Sequence, residues 1–244
     1  MTFTKLSLID DFKFVFFQNE RYSKIVEGFF NTLKITGGAL LVGIIIGILI
    51  AAVRTSYDKN KEAMKLKGGI GYAVMSALNF ICKIYLTVIR GTPVVVQLMI
   101  AYFVLFVATD NGVLIGIFAF GINSGAYVAE IFRAGIMSID HGQFEAGRSI
   151  GFNYFQTMRY IIIPQMFKAV LPTLLNEFIA LLKETSVAGY VGVMDLTKAG
   201  NIVAGRTFNY FLPLFTVAAI YLVSVLILTA LVGKVERRLR KSER

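Results

Sequence analysis

FFNTLKITGGALLVGIIIGILIAAV, residues Phe29 to Val53, holds a single charged residue, Lys34, and runs from Ala39 to Val53 with no polar side chain. At about 1.5 Å of rise per residue these 25 residues form a helix of about 37 Å, enough to cross a hydrocarbon core of about 30 Å. Lys34 stands near the start, where a long side chain reaches the headgroups. The rest of the chain agrees: 56% of the 244 residues are hydrophobic and only 16% charged, and mean hydropathy is +0.68. A soluble domain of this size has too small a core to bury so much apolar surface, so the chain reads as an all-α integral membrane protein.

Working outward from that run, residues 6–25 are aromatic and mixed in charge, the pattern of a helix lying along the membrane. Met1 to Glu20 place Asp10, Asp11 and Lys13 among phenylalanines, so no cleavable signal is expected. Beyond Val53, Arg54 to Lys67 is polar, with five basic and two acidic residues, and reads as a loop. The apolar stretch 68–108 would make one helix of about 60 Å, twice the hydrocarbon thickness. Gly91-Thr92-Pro93 marks the break, with Thr92 suited to a cap and Pro93 to a first turn. Lys83 and Arg90 assign 68–89 to the interface, leaving 93–107 as the span. Three further spans are expected at 113–136, 160–182 and 210–232. The five spans form a single transmembrane domain.

The net charge of +10 is not spread as a nucleic-acid-binding patch; it is gathered in short segments between apolar runs, so no nucleic acid is expected as a partner. The tail from Lys234 carries six basic residues, residues 54–67 carry five, and the turn Asp110-Asn111-Gly112 carries none. Positive charge stays on the cytoplasmic side, which predicts a cytoplasmic C-terminus and an external N-terminus, as five spans require. Gly43 and Gly47 in the first span, and Gly121, Gly125 and Ala129 in the third, recur every four residues. That spacing lets helices approach closely in lipid and points to packing within one subunit more than to a dimer face. Cys82 has no second cysteine to pair with, and solitary His141 reads as a solvated loop residue.

The polar loop before the fourth span runs Glu145-Ala146-Gly147-Arg148-Ser149-Ile150-Gly151, then nine residues, then Ile161-Ile162-Ile163-Pro164. This closely resembles the permease signature of ATP-binding-cassette (ABC) importers, E-A-A-x-x-x-G-x9-I-x-L-P, with Gly147 in place of the second alanine and Ile163 in place of leucine. Arg90-Gly91-Thr92-Pro93-Val94-Val95-Val96-Gln97 resembles the R-G-T-P-x-x-x-Q segment of the polar amino acid importers of bacteria. Asn123 to Ile136 is similar to their third span, and Leu182-Lys183-Glu184-Thr185-Ser186 to their L-K-D-T-S. The resemblance covers roughly residues 28–232 and implies a type I importer permease fold in the bacterial inner membrane, with a coupling helix at about 142–155. It further implies a permease dimer, homomeric or with a relative, cytoplasmic ABC ATPase subunits and an external or periplasmic amino acid-binding protein. ATP and Mg²⁺ would be bound by the partner ATPase, and no cofactor by this chain. In keeping with that, the sequence holds no G-x-x-x-x-G-K-[ST] phosphate cradle, nor any paired-carboxylate, metal or triad constellation.

Within the coupling segment the resemblance gives Glu145, Ala146, Gly147, Gly151 and Pro164 the contact with the ATPase. Ala146 and Gly147 are small enough to admit another protein's surface, Gly151 permits a sharp turn, Glu145 and Arg148 are spaced to pair, and Pro164 opens or kinks the next helix. Ionisable residues inside spans are costly and point to function, which selects Glu130, Glu177 and Glu184 as substrate-binding candidates, with Asn123 and Ser124 supplying neutral hydrogen bonds. Glu130 is also spaced to pair with Arg133. If these acids line the path, electrostatics favours arginine, lysine or histidine as cargo. An ATP-independent carrier is the rival, but it would be expected to show inverted repeats with matched broken helices. A channel would call for charged rings or a carbonyl filter. Residues 183–209 are expected to form short helices at the outer mouth, as a gate or as a fixed cap.

Overall fold

A computed structural model describes residues 8–241; Leu6 and Ser7 of the expected N-terminal helix and Arg244 of the basic tail lie outside them. Those residues form helices and turns, with no strand among them. Short helix α1, Leu8–Phe12, leads through a π turn, Lys13–Phe17, and a 3-10 turn, Gln18–Glu20, into α2, Tyr22–Lys67. Then come α3, Ile70–Gly91; α4, Val94–Ile100, prolonged by a π turn Ala101–Leu105; and α5, Gly112–Met137. The second half comprises α6, His141–Ser149; α7, Tyr154–Thr157, joined by a π turn to α8, Ile163–Glu184; a 3-10 segment Thr185–Val191; α9, Leu196–Thr207; and α10, Phe211–Lys241. Five stretches are long and apolar enough to cross a membrane: Tyr22–Glu62, Ile70–Gly91, Gly112–Met137, Tyr154–Val191 and Phe211–Leu239.

The polar residues 54–67 are helix, not loop. Lysine, glutamate, alanine and methionine all favour helix, and nothing breaks the chain until Gly68 and Gly69, both at positive φ (60° and 84°). α2 therefore runs 46 residues, about 69 Å, and projects well past its apolar core at the basic end of the bundle.

The region 68–108 also divides differently from the sequence expectation. α3 has 22 residues, enough to span, whereas Val94–Leu105 makes only about 18 Å and cannot cross alone. Tyr57 of α2 faces Tyr72 and Ser76 of α3, while Ile50 packs against the group formed by Leu86 of α3 with Ala126 and Ala129 of α5. α3 thus leans on α2 near its start and meets both α2 and α5 toward its end. α4 continues from there, its Leu98 and Ala101 packing with Ile35, Ile115 and Phe120. Thr92 does not cap α4; its hydroxyl donates back to the Val88 carbonyl at 2.8 Å, and Pro93 occupies the extended cap position itself.

α2 and α5 run parallel in close contact. A Cβ on Gly47 would lie 2.5 Å from Val128, one on Gly43 3.0 Å from Ser124, and one on Gly121 2.8 Å from Val42. The glycine stripes thus pack against each other's helix within this chain. Around that pair, Val128, Phe132, Ile162, Met166 and Val170 build a core toward the basic end. At the opposite end Val15, Phe16, Leu196, Val203 and Val217 join the N-terminal segment to α9 and α10. Apolar side chains of α3 and α10, among them Phe80, Ile81, Phe215 and Leu226, face outward, as a surface bathed in lipid requires.

Residues 185–207 are bound firmly to α2. Asn31 Nδ2 donates to the Met194 carbonyl at 3.0 Å, Leu196 N–H to Thr32 Oγ1 at 3.0 Å, and Gly28 leaves no room for a side chain beside the Asp195 carbonyl. Asp195 is completely buried and caps α9 by accepting from Thr197 and Lys198 N–H. Burial pushes its carboxyl above the usual carboxylate range, while those donors pull it back.

Two measurements check this packing. Gly47→Leu must force α2 from α5 and cost about 1–3 kcal/mol, read as a lowered apparent Tm in detergent. Asp195→Ala loses the cap, worth about 1 kcal/mol, while Asp195→Asn keeps it. The folded carboxyl holds its proton to higher pH than the unfolded one, so its contribution is full below the ordinary value of 3.8 and is lost as pH rises through the raised folded value. That slope should be present in wild type and absent from Asp195→Asn.

Candidate functional site

Midway along the α2–α5 contact, α5 presents two polar residues among alanines and glycines. Ser124 is fully buried and Asn123 nearly so. Ser124 Oγ donates to Glu177 Oε1 of α8 at 2.9 Å; Asn123 Nδ2 donates to Gln97 Oε1 of α4 at 3.0 Å. Gln97 in turn donates through Nε2 to the carbonyls of Ile89 (2.8 Å) and Thr92 (3.1 Å) and to Thr92 Oγ1 (2.8 Å). Those are groups left open where Pro93 interrupts the helix, and in lipid such groups must find internal partners. Three of the five candidates thus take part in two adjoining contacts on α5, Ser124 with Glu177 and Asn123 with Gln97, which together form the cluster. Glu177 has no cationic partner among the described residues. A carboxylate holding one hydroxyl donor keeps further lone pairs for an ammonium or guanidinium group.

Glu184, half-buried, lies two turns further along α8 beside Lys183, about 10 Å from Glu177 along the axis. Glu130 stands apart from the cluster, two turns nearer the basic end of α5. It pairs with Arg90 at 3.4 Å, not with Arg133, which instead reaches Asp58 of the α2 extension at 3.0 Å. Cavities open on either side of the cluster. One of about 540 Å³ at the opposite end is lined by Asn31, Tyr102, Asp110, Asn111 and Met194. One of about 480 Å³ between α5 and α8 is lined by Glu130, Ala134, Ser138 and Thr173. Gln97 was not among the residues selected from sequence, although a glutamine four residues after a helix-breaking proline was the available signal. Arg90 opens the R-G-T-P-x-x-x-Q segment, but its pairing with Glu130, like that of Asp58 with Arg133, joins distant parts of the chain and carried no signal.

At the basic end, α6 begins with Asp140 accepting from Gly142 N–H at 2.7 Å. It ends where Gly151 adopts φ 85° and Phe152 N–H returns to the Gly147 carbonyl at 3.0 Å. The helix is thus shorter than 142–155; Asn153 and Gln156 cap the separate α7 reciprocally. Glu145, Ala146, Arg148 and Ser149 face outward, but Gly147 turns inward, where a Cβ would lie 2.7 Å from Thr157. Its smallness serves the fit of α6 on the chain's own α7. Glu145 lies 3.2 Å from His141 Nδ1 and makes no pair with Arg148. Phe144 is buried, with Lys59 Nζ of the α2 extension 3.3 Å above its ring, an attraction that fixes α6 to α2. Pro164 sits in the first turn of α8, and the π turn Met158–Ile162 before it carries the helix past its missing N–H.

The sequence profile of the family described as binding-protein-dependent transport system inner membrane component matches residues 66–241. The arginine transport system permease protein of Bacillus subtilis is 35% identical over 223 residues, covering 90% of this chain and 94% of that one. The glutamine transport system permease protein of Escherichia coli is 34% identical over 220 residues, 88% and 93% of the two chains. A crystal structure of an amino acid ABC transporter with histidines superposes with a TM-score of 0.79 at 35% identity, covering 98% of this chain and all of the other. An inward-facing methionine ABC transporter, at 19% identity and a TM-score of 0.70, covers 88% of this chain and 95% of its own and shares the fold. A buried polar cluster between cavities, a capped outward-facing helix on the basic end and these matches lead to one conclusion: the chain belongs to the inner-membrane permeases of binding-protein-dependent transport systems, in the branch that serves amino acids.

Proposed function

We propose that this permease moves a polar amino acid, with a preference for basic ones, past the Asn123–Ser124–Glu177 cluster by alternating access. The observation that carries the proposal is the Ser124–Glu177 contact at 2.9 Å, a carboxylate without a cation between two apolar helices. Such a group is costly in a membrane unless a cation visits it. Asn123, next to Ser124 along α5, and its partner Gln97 offer neutral amides for the polar ends of the cargo, and Glu184 stands two turns outward as an earlier contact for the same charge. Relatives named for arginine and for glutamine share an α-amino group that Glu177 would hold, and arginine adds a second cation. Glu130, held by Arg90, would meet the cargo on its way to the basic end.

In this reading two permease subunits pair, an amino acid-binding protein delivers the cargo at the Asp110 end, and ABC ATPase subunits engage the outward face of α6. ATP with its Mg²⁺ is bound by those partners. Closure of the ATPase pair draws the two α6 helices together and the bundles rock open outward; hydrolysis resets them. The basic end, with 54–67 and the tail from Lys234, is cytoplasmic and the N-terminus external.

Proteoliposomes holding the permease, its ATPase and its binding protein test the site. Glu177→Gln should cut arginine uptake about tenfold or more, the equivalent of about 1.4 kcal/mol, with a smaller effect on glutamine; arginine uptake unchanged from wild type in both Glu177→Gln and Glu184→Gln would remove these acids from the path. The coupling helix is tested separately. Gly151→Val cannot hold φ 85° without strain of about 1–3 kcal/mol, and with Glu145→Ala it should abolish cargo-stimulated ATP hydrolysis while leaving the basal rate of the ATPase subunits. Uptake that persists with no ATPase present would favour a secondary carrier.

A further inference from the structure

Away from the α5–α8 site, the strongest concentration of unanswered charge lies where α2, α3 and α5 diverge. A cavity of about 450 Å³ there is lined by Arg54, Lys83, Thr87, Arg90 and Glu130. Glu130 answers Arg90; among the described residues neither Arg54 nor Lys83 makes an ion pair. Three cations against one carboxylate leave a surplus of two positive charges. Arg54 Nε, moreover, is buried with no acceptor, a donor that costs stability until an acceptor arrives.

The position of the cavity says what kind of acceptor fits. Arg54 is the residue at which the apolar run Phe29–Val53 ends, so the cavity sits at the depth where hydrocarbon gives way to headgroups. The other faces of α3 carry exposed apolar side chains, Phe80, Ile81, Ile84 and Val88, so the helix that supplies Lys83 and Arg90 to the cavity is otherwise turned to lipid. An oxyanion joined to acyl chains would use both the cations of the cavity and that apolar surface. We infer that the Arg54–Lys83–Arg90 cavity binds a phosphate oxyanion, supplied by the headgroup of an anionic phospholipid. The guanidinium of Arg54 and the ammonium of Lys83 hold the phosphate oxygens and the Thr87 hydroxyl adds a neutral donor. Because Arg90 also pairs with Glu130, the lipid joins the charge network that flanks the inner cavity.

The test uses the assembled transporter, stripped of lipid in mild detergent and titrated with phosphatidylglycerol or phosphatidylcholine while bound lipid is counted by native mass spectrometry. Wild type should prefer phosphatidylglycerol. Each basic residue near an anionic headgroup contributes about fivefold, so Arg54→Gln with Lys83→Gln should erase about 25-fold of that preference. Arg54→Lys with Lys83→Arg keeps both charges and should keep the preference, which separates loss of the site from loss of fold. Competition by millimolar inorganic phosphate would uphold the oxyanion site and identify the free anion as its source. Equal binding of the two lipids by wild type, or an undiminished preference in the double glutamine variant, would overturn the inference.

Discussion

Parallel helices α2 and α5 touch along their whole shared length because glycine stands at each point where one backbone meets the other's side chains. Gly43 and Gly47 receive Ser124 and Val128, while Gly116 and Gly121 receive Ile35 and Val42. Two helices running in the same direction are not neighbours by chain connection; α3 and α4 must first return the chain across the membrane. In lipid no hydrophobic force drives helices together, so contact depends on dispersion and on how near the backbones come. Ser124 lies inside this contact, and its fixed position lets it meet Glu177 from a third helix. The site geometry is a consequence of the glycine stripe.

The same contact extends outside the apolar region. α2 keeps its helical form through residues 54–67 because no residue there breaks it, and that extension supplies Asp58 to Arg133 and Lys59 to the ring of Phe144. α6 thus rests on α2 as well as on α7. A displacement of α6 by a partner would load α2, and through the glycine stripe α5 and Ser124. The connection is made of rigid helix and packed side chains, the kind of element along which coupling travels.

What the sequence disclosed, and what it withheld, follows from range. Apolar runs and the loop signature are local patterns, so the membrane class, the number of crossings, the place of four of them and the approximate position of α6 were legible. Polarity was a poor guide to local structure: residues 54–67 looked like a loop because they are charged, yet charge and helix propensity are independent properties. Length alone gave no way to apportion residues 68–108 between a shallow and a crossing helix, since the course of α3 depends on contacts with α2 and α5, far off in sequence. Gly147 was read as open to a partner because smallness carries no direction; the fold turns it toward Thr157. Glu130 and Arg133 satisfied the spacing rule for a pair, but each found a nearer partner on another helix.

The break at Gly91-Thr92-Pro93 ties these threads together. Interrupting a helix within a bilayer frees backbone carbonyls that must be satisfied from within the protein. Here Gln97 satisfies those of Ile89 and Thr92, and its remaining oxygen accepts from Asn123. One side chain both repairs the break and fixes an amide of the site. A shift of α4 relative to α3 therefore cannot keep all of these bonds: Gln97 must give up the Ile89 carbonyl on α3 or the amide of Asn123 on α5, unless α5 moves as well. The Asn123–Gln97 contact is thereby sensitive to the angle at the break, and a change of that angle reaches α5 through one side chain.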